Sequence, residues 1–316
     1  MPEDPRWVAV VGPGAIGGTL AASLRRAGRD VVIVGRSAKN LARIRREGLL
    51  VIAPPARARR FRGWLDATPR LTRRGGCAAI FLCVKSPGAR AAIRAVRAAV
   101  GEKAAVVSLM DGLAHVRPAR AAFGPARAVF GSCYMAATRT GTASVLHWRS
   151  ERIVLAATPR NRAAASVAAG LLRSAGWRVV AVPSEERMLW TKIVYDAAVQ
   201  PLAALLGKAN GELASHPAVR ELVGAVLREA SAAARSAGWR PLDAETCMAR
   251  RILRDCLAAP RQLGPMAQDI AAGRPTEADA ILRPLIMAAR RKRTDSRLME
   301  PLYHMIKRLE REVRRA

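Results

Sequence analysis

The eleven residues Trp7–Gly17, WVAVVGPGAIG, decide the fold of this chain. The apolar run that opens them is typical of a short buried strand, and the glycines that follow have the spacing GxGxxG. Beyond this stretch, a helical pattern runs from Ala15 to about Ala27 and Gly28 ends it. Val31–Val34 form the next apolar run. This order of strand, glycine turn, helix and strand predicts one βαβ unit of about thirty residues.

The glycine turn predicts a dinucleotide site. Gly12 permits a tight turn, Gly14 lets the backbone approach a pyrophosphate, and Gly17 allows the helix to pack closely on the strand. Ala15 and Ile16 begin the helix, whose free N–H groups are suited to bind phosphate. The alternative is a glycine turn that serves the fold alone and binds no ligand.

The end of the second strand bears on the choice of nucleotide. NAD sites usually have an acidic residue there, for the ribose 2′-hydroxyl, whereas this chain has Gly35-Arg36-Ser37. The Arg36 guanidinium suits a 2′-phosphate, with Lys39 or Asn40 as possible partners, and Asp30 is expected to precede the strand. We therefore predict that the cofactor is NADPH/NADP+, against the alternative of an ordinary surface arginine.

The remaining sequence divides into two parts. Up to Pro183, strands alternate with helices, which predicts a parallel sheet covered on both faces. From Ser184 onward nearly everything has a helical pattern, and Ser184-Glu185-Glu186 resembles a helix start. The predicted class is α/β, with a Rossmann-type NADP-binding domain at 1–183 and an all-helical substrate and catalytic domain at 184–316. We expect further strands at 78–84, 104–109 and 128–130, and helices at 88–99, 113–122, 184–206, 217–236, 243–257, 277–291 and 298–313.

Composition argues against several other classes of protein. The net charge of +30 comes almost entirely from arginine spread along the chain, since only seven residues are lysine. Without aromatic residues interleaved among them, these arginines do not favour a nucleic-acid partner. Five scattered cysteines and four dispersed histidines predict neither a disulfide framework nor a metal site. No apolar run is long enough to cross a membrane, and a cytoplasmic protein is expected.

Several later motifs carry a resemblance to a known family. Cys83-Val84-Lys85 ends a strand, Leu189-Trp190-Thr191-Lys192 lies on a helix, and Pro201-Leu202 follows; further on come 266–270 (MAQDI) and 273–277 (GRPTE). In order and spacing, this set resembles the ketopantoate reductases (2-dehydropantoate 2-reductases) over nearly the whole chain. The resemblance implies a C-terminal domain like that of 6-phosphogluconate dehydrogenase. It also implies NADPH-dependent reduction of ketopantoate to pantoate, a step of pantothenate biosynthesis.

The resemblance also implies roles for three charged residues. The family's catalytic lysine matches Lys192; an ammonium group near a carbonyl can polarise it and protonate the alkoxide. Glu277 matches a carboxylate that binds the substrate, although an acid at a helix start also has a plain capping role. Lys85 follows a strand at the edge where ligands of open sheets lie, so we expect it to face the cofactor and the substrate.

Four positions that the resemblance implies contact the substrate, among them Asp196 and Gln200, depart from the family's pattern. Asp111 stands where the family has an asparagine before glycine, and Asp196 and Gln200 replace asparagines four and eight residues after the lysine. Pro265 replaces a serine that binds the substrate carboxylate in the family. The spacing of Lys192, Asp196 and Gln200 puts them on one helical face, so Asp196 is expected to pair with the lysine and make it a poorer proton donor.

These departures predict a substrate other than ketopantoate. Added acids repel a 2-oxo acid, and proline offers no donor, so a neutral or cationic carbonyl or imine compound is expected. Asp111 is also expected to contact the cofactor. One alternative is drift within a tolerant site; another is a non-catalytic NADP-binding paralogue acting as a sensor or partner module. The last helices pack either on their own domain or on a second subunit, which leaves a homodimer open.

Overall fold

The computed structural model describes residues 7–54, 58–64, 66–72 and 76–315. They form two compact units. The first contains residues up to Met110 together with Ala114–Glu185, and the second contains Asp111–Leu113 and everything from Glu186 onward. Within the described ranges, no helix combines the length and the apolar character that a membrane crossing requires.

The first unit is built on one sheet whose central strands are parallel. Val11 pairs with Val34 on one side and with Leu82 on the other, and Leu82 pairs with Ser108, so four strands end in line. The described strands follow the order β4-β3-β9-β8-β7-β6-β1-β2-β5, with β10 pairing with β9. Their bounds are β1 Trp7–Val11, β2 Asp30–Val34, β3 Leu49–Ile52, β4 Arg59–Phe61, β5 Asp66–Thr68, β6 Cys77–Leu82, β7 Ala105–Ser108, β8 Ala128–Gly141, β9 Ser144–Ala156 and β10 Val179–Val182.

In the described part of this unit, five α-helices connect the strands. The first follows the glycine turn directly, and its buried residues, among them Leu20 and Leu24, join the apolar cluster beneath the sheet. Parallel strands need crossover connections of this kind, which is why the sequence alternates between the two patterns. The helices are α1 Ala15–Arg26, α2 Ala38–Glu47, α3 Ala89–Arg97, α4 Val116–Phe123 and α5 Arg162–Ser174.

The central strands are parallel, which confirms the predicted α/β class, and antiparallel pairings extend the sheet. The strand expected at 128–130 continues to Gly141 and turns back antiparallel as β9, and β3 pairs antiparallel with β4. β2 begins at Asp30 rather than after it. Asp30 nevertheless lies at the end of β2 away from the glycine turn, because Val34 is the residue paired with Val11.

The second unit consists of helices around its own apolar core. Its helices are α6 Glu185–Leu206, α7 Asn210–Ser215, α8 Pro217–Ser236, α9 Glu245–Ala258, α10 Pro265–Ala271, α11 Ala278–Lys292 and α12 Met299–Arg315. Leu302 and Ile306 of α12 are buried in this core, while Met305 is exposed. The last helix therefore packs on its own unit. The predicted division of labour between 1–183 and 184–316 stays a prediction.

Candidate functional site

The glycine turn begins at the end of β1, with β2 and β6 on either side. The Gly12 amide donates to the Val34 carbonyl over 2.8 Å, and its φ of +91° lies where side chains are strained. A Cβ on Gly12 would lie 2.7 Å from Val84 Cγ1 and 2.9 Å from the Cys83 carbonyl oxygen. The Cys83-Val84 pair thus packs against the turn and leaves room only for glycine.

The other two glycines of the turn have different surroundings. A Cβ on Gly17 would lie 2.1 Å from the Gly12 carbonyl oxygen, so this position holds the helix close against the turn. A Cβ on Gly14 would meet nothing within 4 Å. Gly14 caps α1, and Ala15 and Ile16 follow as its first residues. The space at Gly14, beside a helix N-terminus, fits the approach of a pyrophosphate.

Arg36 and its neighbours form the loop between β2 and α2. Arg36 and Lys39 are exposed, and the Ser37 hydroxyl caps α2 by accepting from the Asn40 amide over 3.2 Å. Asn40, proposed as a partner for Arg36, is buried, and its Oδ1 accepts from the Ala143 amide over 2.6 Å. Asn40 therefore ties α2 to the β8–β9 turn, and the exposed Lys39 stays the predicted partner of Arg36.

Lys85 lies just after β6, where a short 3₁₀ turn begins at Ser86. Its side chain is exposed. The preceding residues, Cys83 and Val84, are those that contact Gly12, so Lys85 follows directly on the segment that packs against the glycine turn. A contact of Lys85 with a bound cofactor stays a prediction.

Lys192 is the centre of a buried ion cluster in the helical unit. Its Nζ lies 2.6 and 2.8 Å from the two carboxylate oxygens of Asp196, one helical turn further along α6. The same Nζ lies 3.5 Å from Asp111 Oδ1. Side-chain exposure is 10% for Lys192, 3% for Asp196 and 17% for Asp111. The expected pairing with Asp196 is therefore present, and a second carboxylate joins it.

The charge of Asp196 depends on competing influences. Burial raises its pKa, the Lys192 ammonium lowers it, and the neighbouring Asp111 carboxylate raises it; together they move it from 3.8 to about 6. Gln200 also donates a hydrogen bond to this carboxylate and favours its charged form. The face of Lys192, Asp196 and Gln200 is thus connected as the i, i+4, i+8 spacing predicted.

The segment that carries Asp111 packs on the helix that follows Glu277. Gly112 has a φ of +83°, and a Cβ there would lie 2.7 Å from the Cβ of Ala280. Only glycine allows this approach, which explains the Asp-Gly pair. Asp111 belongs to the helical unit and lies beside Lys192, and its expected contact with the cofactor stays a prediction.

Glu277 occupies the N-cap position of α11 and is 7% exposed. Its side chain makes no capping hydrogen bond, so the plain capping role does not account for it. The preceding Thr276 is fixed by Glu310, whose Oε1 accepts from the Thr276 amide at 2.8 Å and from its hydroxyl at 2.5 Å. Arg274 in turn donates to Asp269 over 3.1 Å. These hydrogen bonds therefore hold the residues that directly precede Glu277.

Pro265 is the first residue of α10. Proline suits that position because its missing N–H has no helical partner there. It has no hydroxyl to offer a ligand. At this position, where the resemblance implies a substrate-binding serine, a proline starts the helix instead.

Tyr195 was not singled out from the sequence. The centroid of its ring lies 5.8 Å from Lys192 Nζ and 5.5 Å from Arg251 Cζ, and its hydroxyl donates to Asp255 over 2.8 Å. Burial raises its pKa well above 10, and Asp255 adds to the effect. Its position three residues after Lys192 was the available signal, since i, i+3 places the two on one face.

Comparisons with known proteins agree with the motifs. The family model described as "Ketopantoate reductase PanE/ApbA" matches residues 8–160, and its C-terminal companion matches residues 186–310. The chain belongs to the ketopantoate reductase family. It is accordingly an oxidoreductase with a Rossmann-type domain, of a family that acts on a keto/hydroxyl pair with a nicotinamide cofactor, NADPH.

Relatives of the ketopantoate reductase family cover most of the chain. A 2-dehydropantoate 2-reductase of Halobacterium salinarum is 24% identical over 284 residues, 90% of this chain and 92% of the relative. One from Mycobacterium tuberculosis is 28% identical over 273 residues, 86% and 87% of the two chains. The crystal structure of 2-dehydropantoate 2-reductase from Methylococcus capsulatus has a TM-score of 0.76 at 25% identity and covers 97% of each chain.

A more distant structure shows the same fold. It is the complex of D-mandelate dehydrogenase with NADH and anilino(oxo)acetate, with a TM-score of 0.85 at 17% identity, covering 97% of this chain and 99% of that one. Proteins of this fold therefore act on different substrates.

In the described part of this chain, no group of three or more His, Cys, Asp or Glu side chains is arranged to hold a metal ion.

Proposed function

We propose that this chain is an NADPH-dependent reductase of a small carbonyl or imine compound that carries no carboxylate beside the reacting carbon. One observation carries the proposal: the Lys192 ammonium lies within hydrogen-bonding distance of Asp196 and 3.5 Å from Asp111. The lysine supports reduction chemistry, and the two acids beside it argue against an anionic substrate.

The glycine turn and Arg36 support NADPH as the cofactor. The open space at Gly14 and the N-terminus of α1 suit the pyrophosphate, and Arg36 suits the 2′-phosphate at the end of β2. Gly35-Arg36-Ser37 contains no acidic residue that could accept hydrogen bonds from the ribose hydroxyls of NADH. When bound, the nicotinamide supplies the hydride.

Lys192 is the residue that we assign to the reacting double bond. Its ammonium donates a hydrogen bond to the oxygen or nitrogen atom and, with a ketone, provides the proton for the alkoxide. Glu277, 7% exposed at the start of α11, is the carboxylate that matches the family pattern and is assigned to substrate binding. Gln200 supports Asp196, which in turn orients Lys192.

The charge of the cluster sets the substrate class. Lys192, Asp196 and Asp111 together carry one positive and two negative charges when ionised. A 2-oxo acid would add a third negative charge, and Pro265 has no hydroxyl to bind it. A neutral or cationic compound avoids that repulsion.

Turnover of NADPH with a panel of compounds tests the proposal. We expect slow reduction of ketopantoate and faster reduction of neutral 2-oxo amides or cyclic imines. Lys192→Met should lower kcat for the 2-oxo amides at least about a hundredfold, with the Kd of NADPH unchanged. The double variant Asp111→Asn with Asp196→Asn should raise 2-oxo acid turnover. The matched control is Glu212→Gln, which removes the acid of the exposed i, i+4 pair between Lys208 and Glu212.

Two outcomes would overturn the proposal. Efficient reduction of ketopantoate by the unaltered protein would assign it the reaction of its named relatives. Tight NADPH binding without its oxidation across the whole panel would favour a non-catalytic NADP-binding protein, acting as a sensor or partner module.

A further inference from the structure

The acids around Lys192 affect its proton as well as the charge of the substrate. Two oxygens of Asp196 lie 2.6 and 2.8 Å from Nζ, and Asp111 lies 3.5 Å away. If the lysine gave up its proton, two carboxylates would face each other across a neutral amine in a site where Asp196 is only 3% exposed. The cluster therefore holds the proton on Lys192.

Reduction of a ketone needs that proton. Hydride addition to a carbonyl carbon breaks the C=O π bond and leaves an alkoxide, which must take a proton from Lys192 or from water. Reduction of an iminium ion has a different balance. Hydride addition to its carbon moves the π pair to nitrogen, and a neutral amine forms without any proton from the protein.

The surroundings of the cluster also suit a cation. A cationic substrate would bring the sum of one lysine and two aspartates to zero, whereas a ketone leaves it at minus one. The Tyr195 ring already has two protein cations near it, with Lys192 Nζ 5.8 Å and Arg251 Cζ 5.5 Å from its centroid, so the attraction for a cationic substrate comes from the two carboxylates. Asp111, with a side-chain exposure of 17%, is the acid of the pair more accessible to such a molecule.

Resting on the proposed function, we infer that the substrate is an imine bound as its iminium cation, with Asp111 as the residue that pairs with the charged nitrogen. Asp196 keeps Lys192 protonated and in place. The carboxylates would also favour the protonated form of an imine that arrives neutral. Cyclic imines are the natural members of this class, because they persist in water.

A permanently charged probe separates this inference from ordinary carbonyl reduction. In 1,2-dimethyl-1-pyrrolinium the nitrogen carries a methyl group, so its reduction by NADPH needs no proton donor. We expect its kcat/KM to exceed that of cyclopentanone at least about tenfold. Lys192→Met should lower kcat/KM for the ketone at least about tenfold more than kcat/KM for the pyrrolinium, because only the ketone needs the proton.

Binding gives a readout that does not depend on turnover. Isothermal titration of the pyrrolinium into the protein without cofactor should show a Kd that rises about tenfold or more in Asp111→Asn, because one charge pair is lost. Neutral cyclopentanone should bind both proteins equally. Glu212→Gln, at the exposed lysine–carboxylate pair, should change neither value.

The outcomes distinguish the two levels of the argument. If no compound causes NADPH oxidation, the proposed function itself fails. If neutral ketones or 2-oxo amides are reduced faster than the pyrrolinium, or if Asp111→Asn binds the cation as well as the unaltered protein, this inference fails and the proposed function stands.

Discussion

Alanine at Gly14 and at Gly17 should damage the protein in two different ways. The two positions lie three residues apart in one turn, yet a Cβ at Gly17 would lie 2.1 Å from the Gly12 carbonyl oxygen and one at Gly14 meets nothing within 4 Å. Gly17→Ala is therefore a test of packing. Gly14→Ala is a test of the space in which we place the pyrophosphate.

The magnitudes follow from these distances. Forcing an extra methyl group into a packed site costs about 1–3 kcal/mol, and the contact at Gly17 is with rigid backbone, so we expect a loss of about 3 kcal/mol in the free energy of unfolding. Gly14 has an ordinary φ of −86°, so its alanine variant should keep its stability within about 1 kcal/mol. The new methyl group should weaken NADPH binding at least about tenfold, or roughly 1.4 kcal/mol.

Urea unfolding and fluorescence titration with NADPH measure the two effects separately. Gly170→Ala is the matched control, because this glycine lies within α5 and a Cβ there would meet nothing within 4 Å. It should gain about 0.5–1 kcal/mol in stability and keep its affinity for NADPH. A Gly14→Ala protein that binds NADPH as tightly as the unaltered chain would refute the assignment of that space. A fully stable Gly17→Ala protein would refute the packing argument.

Three further changes address other parts of the molecule. Arg36→Ala should raise the Kd of NADPH about 10–100-fold and leave that of NADH within about twofold; an equal loss for both would show that Arg36 does not bind the 2′-phosphate. Burial raises the pKa of Asp196 from 3.8 to about 6, so the folded protein binds a proton at this carboxylate more tightly than the unfolded chain does. The stability that this proton contributes is complete below pH 3.8 and is lost as the pH rises through about 6. Asp196→Asn removes this pH dependence. The unfolding free energy of the variant minus that of the unaltered protein should therefore rise by about 1–3 kcal/mol between about pH 4 and pH 8. A difference that stays flat or falls over this range in urea unfolding would contradict the prediction. Tyr195→Phe, which removes the hydroxyl that donates to Asp255 Oδ2, should cost about 1–3 kcal/mol in urea unfolding, whereas Tyr303→Phe at an exposed bond to Asp279 should cost less than about 1 kcal/mol. Equal costs would contradict the role of burial.

The sequence predicted those features whose causes are local. The strand, glycine turn and helix at Trp7–Arg26 are set by an apolar run, three glycines and a helical pattern within twenty residues. The face of Lys192, Asp196 and Gln200 is likewise a matter of helical spacing. For both, neighbouring residues alone determine the geometry.

Other features depend on partners far along the chain. The short strands β3 and β4 have only four and three residues, and β4 begins with Arg59-Arg60, so no alternating pattern marks them. β8 continues past Phe130 because β9 pairs with it, which no local signal shows. Asp111 lies beside Lys192 because Gly112 packs on α11, a contact that depends on the folded helical unit. The sequence therefore did not predict that Asp111 would be the second carboxylate at the lysine.

The hydrogen bond from the Ala143 amide to Asn40 has a practical consequence for protein engineering. Cofactor preference is often altered by exchanging a whole loop after the second strand. Here an exchange that extends into α2 would also remove Asn40, whose buried side chain accepts a hydrogen bond from the amide of Ala143, a residue with a φ of +53° in the β8–β9 turn. Conversion toward NADH should therefore be attempted with single replacements at Arg36, and a change at Ala143 should disturb nucleotide preference from a distance.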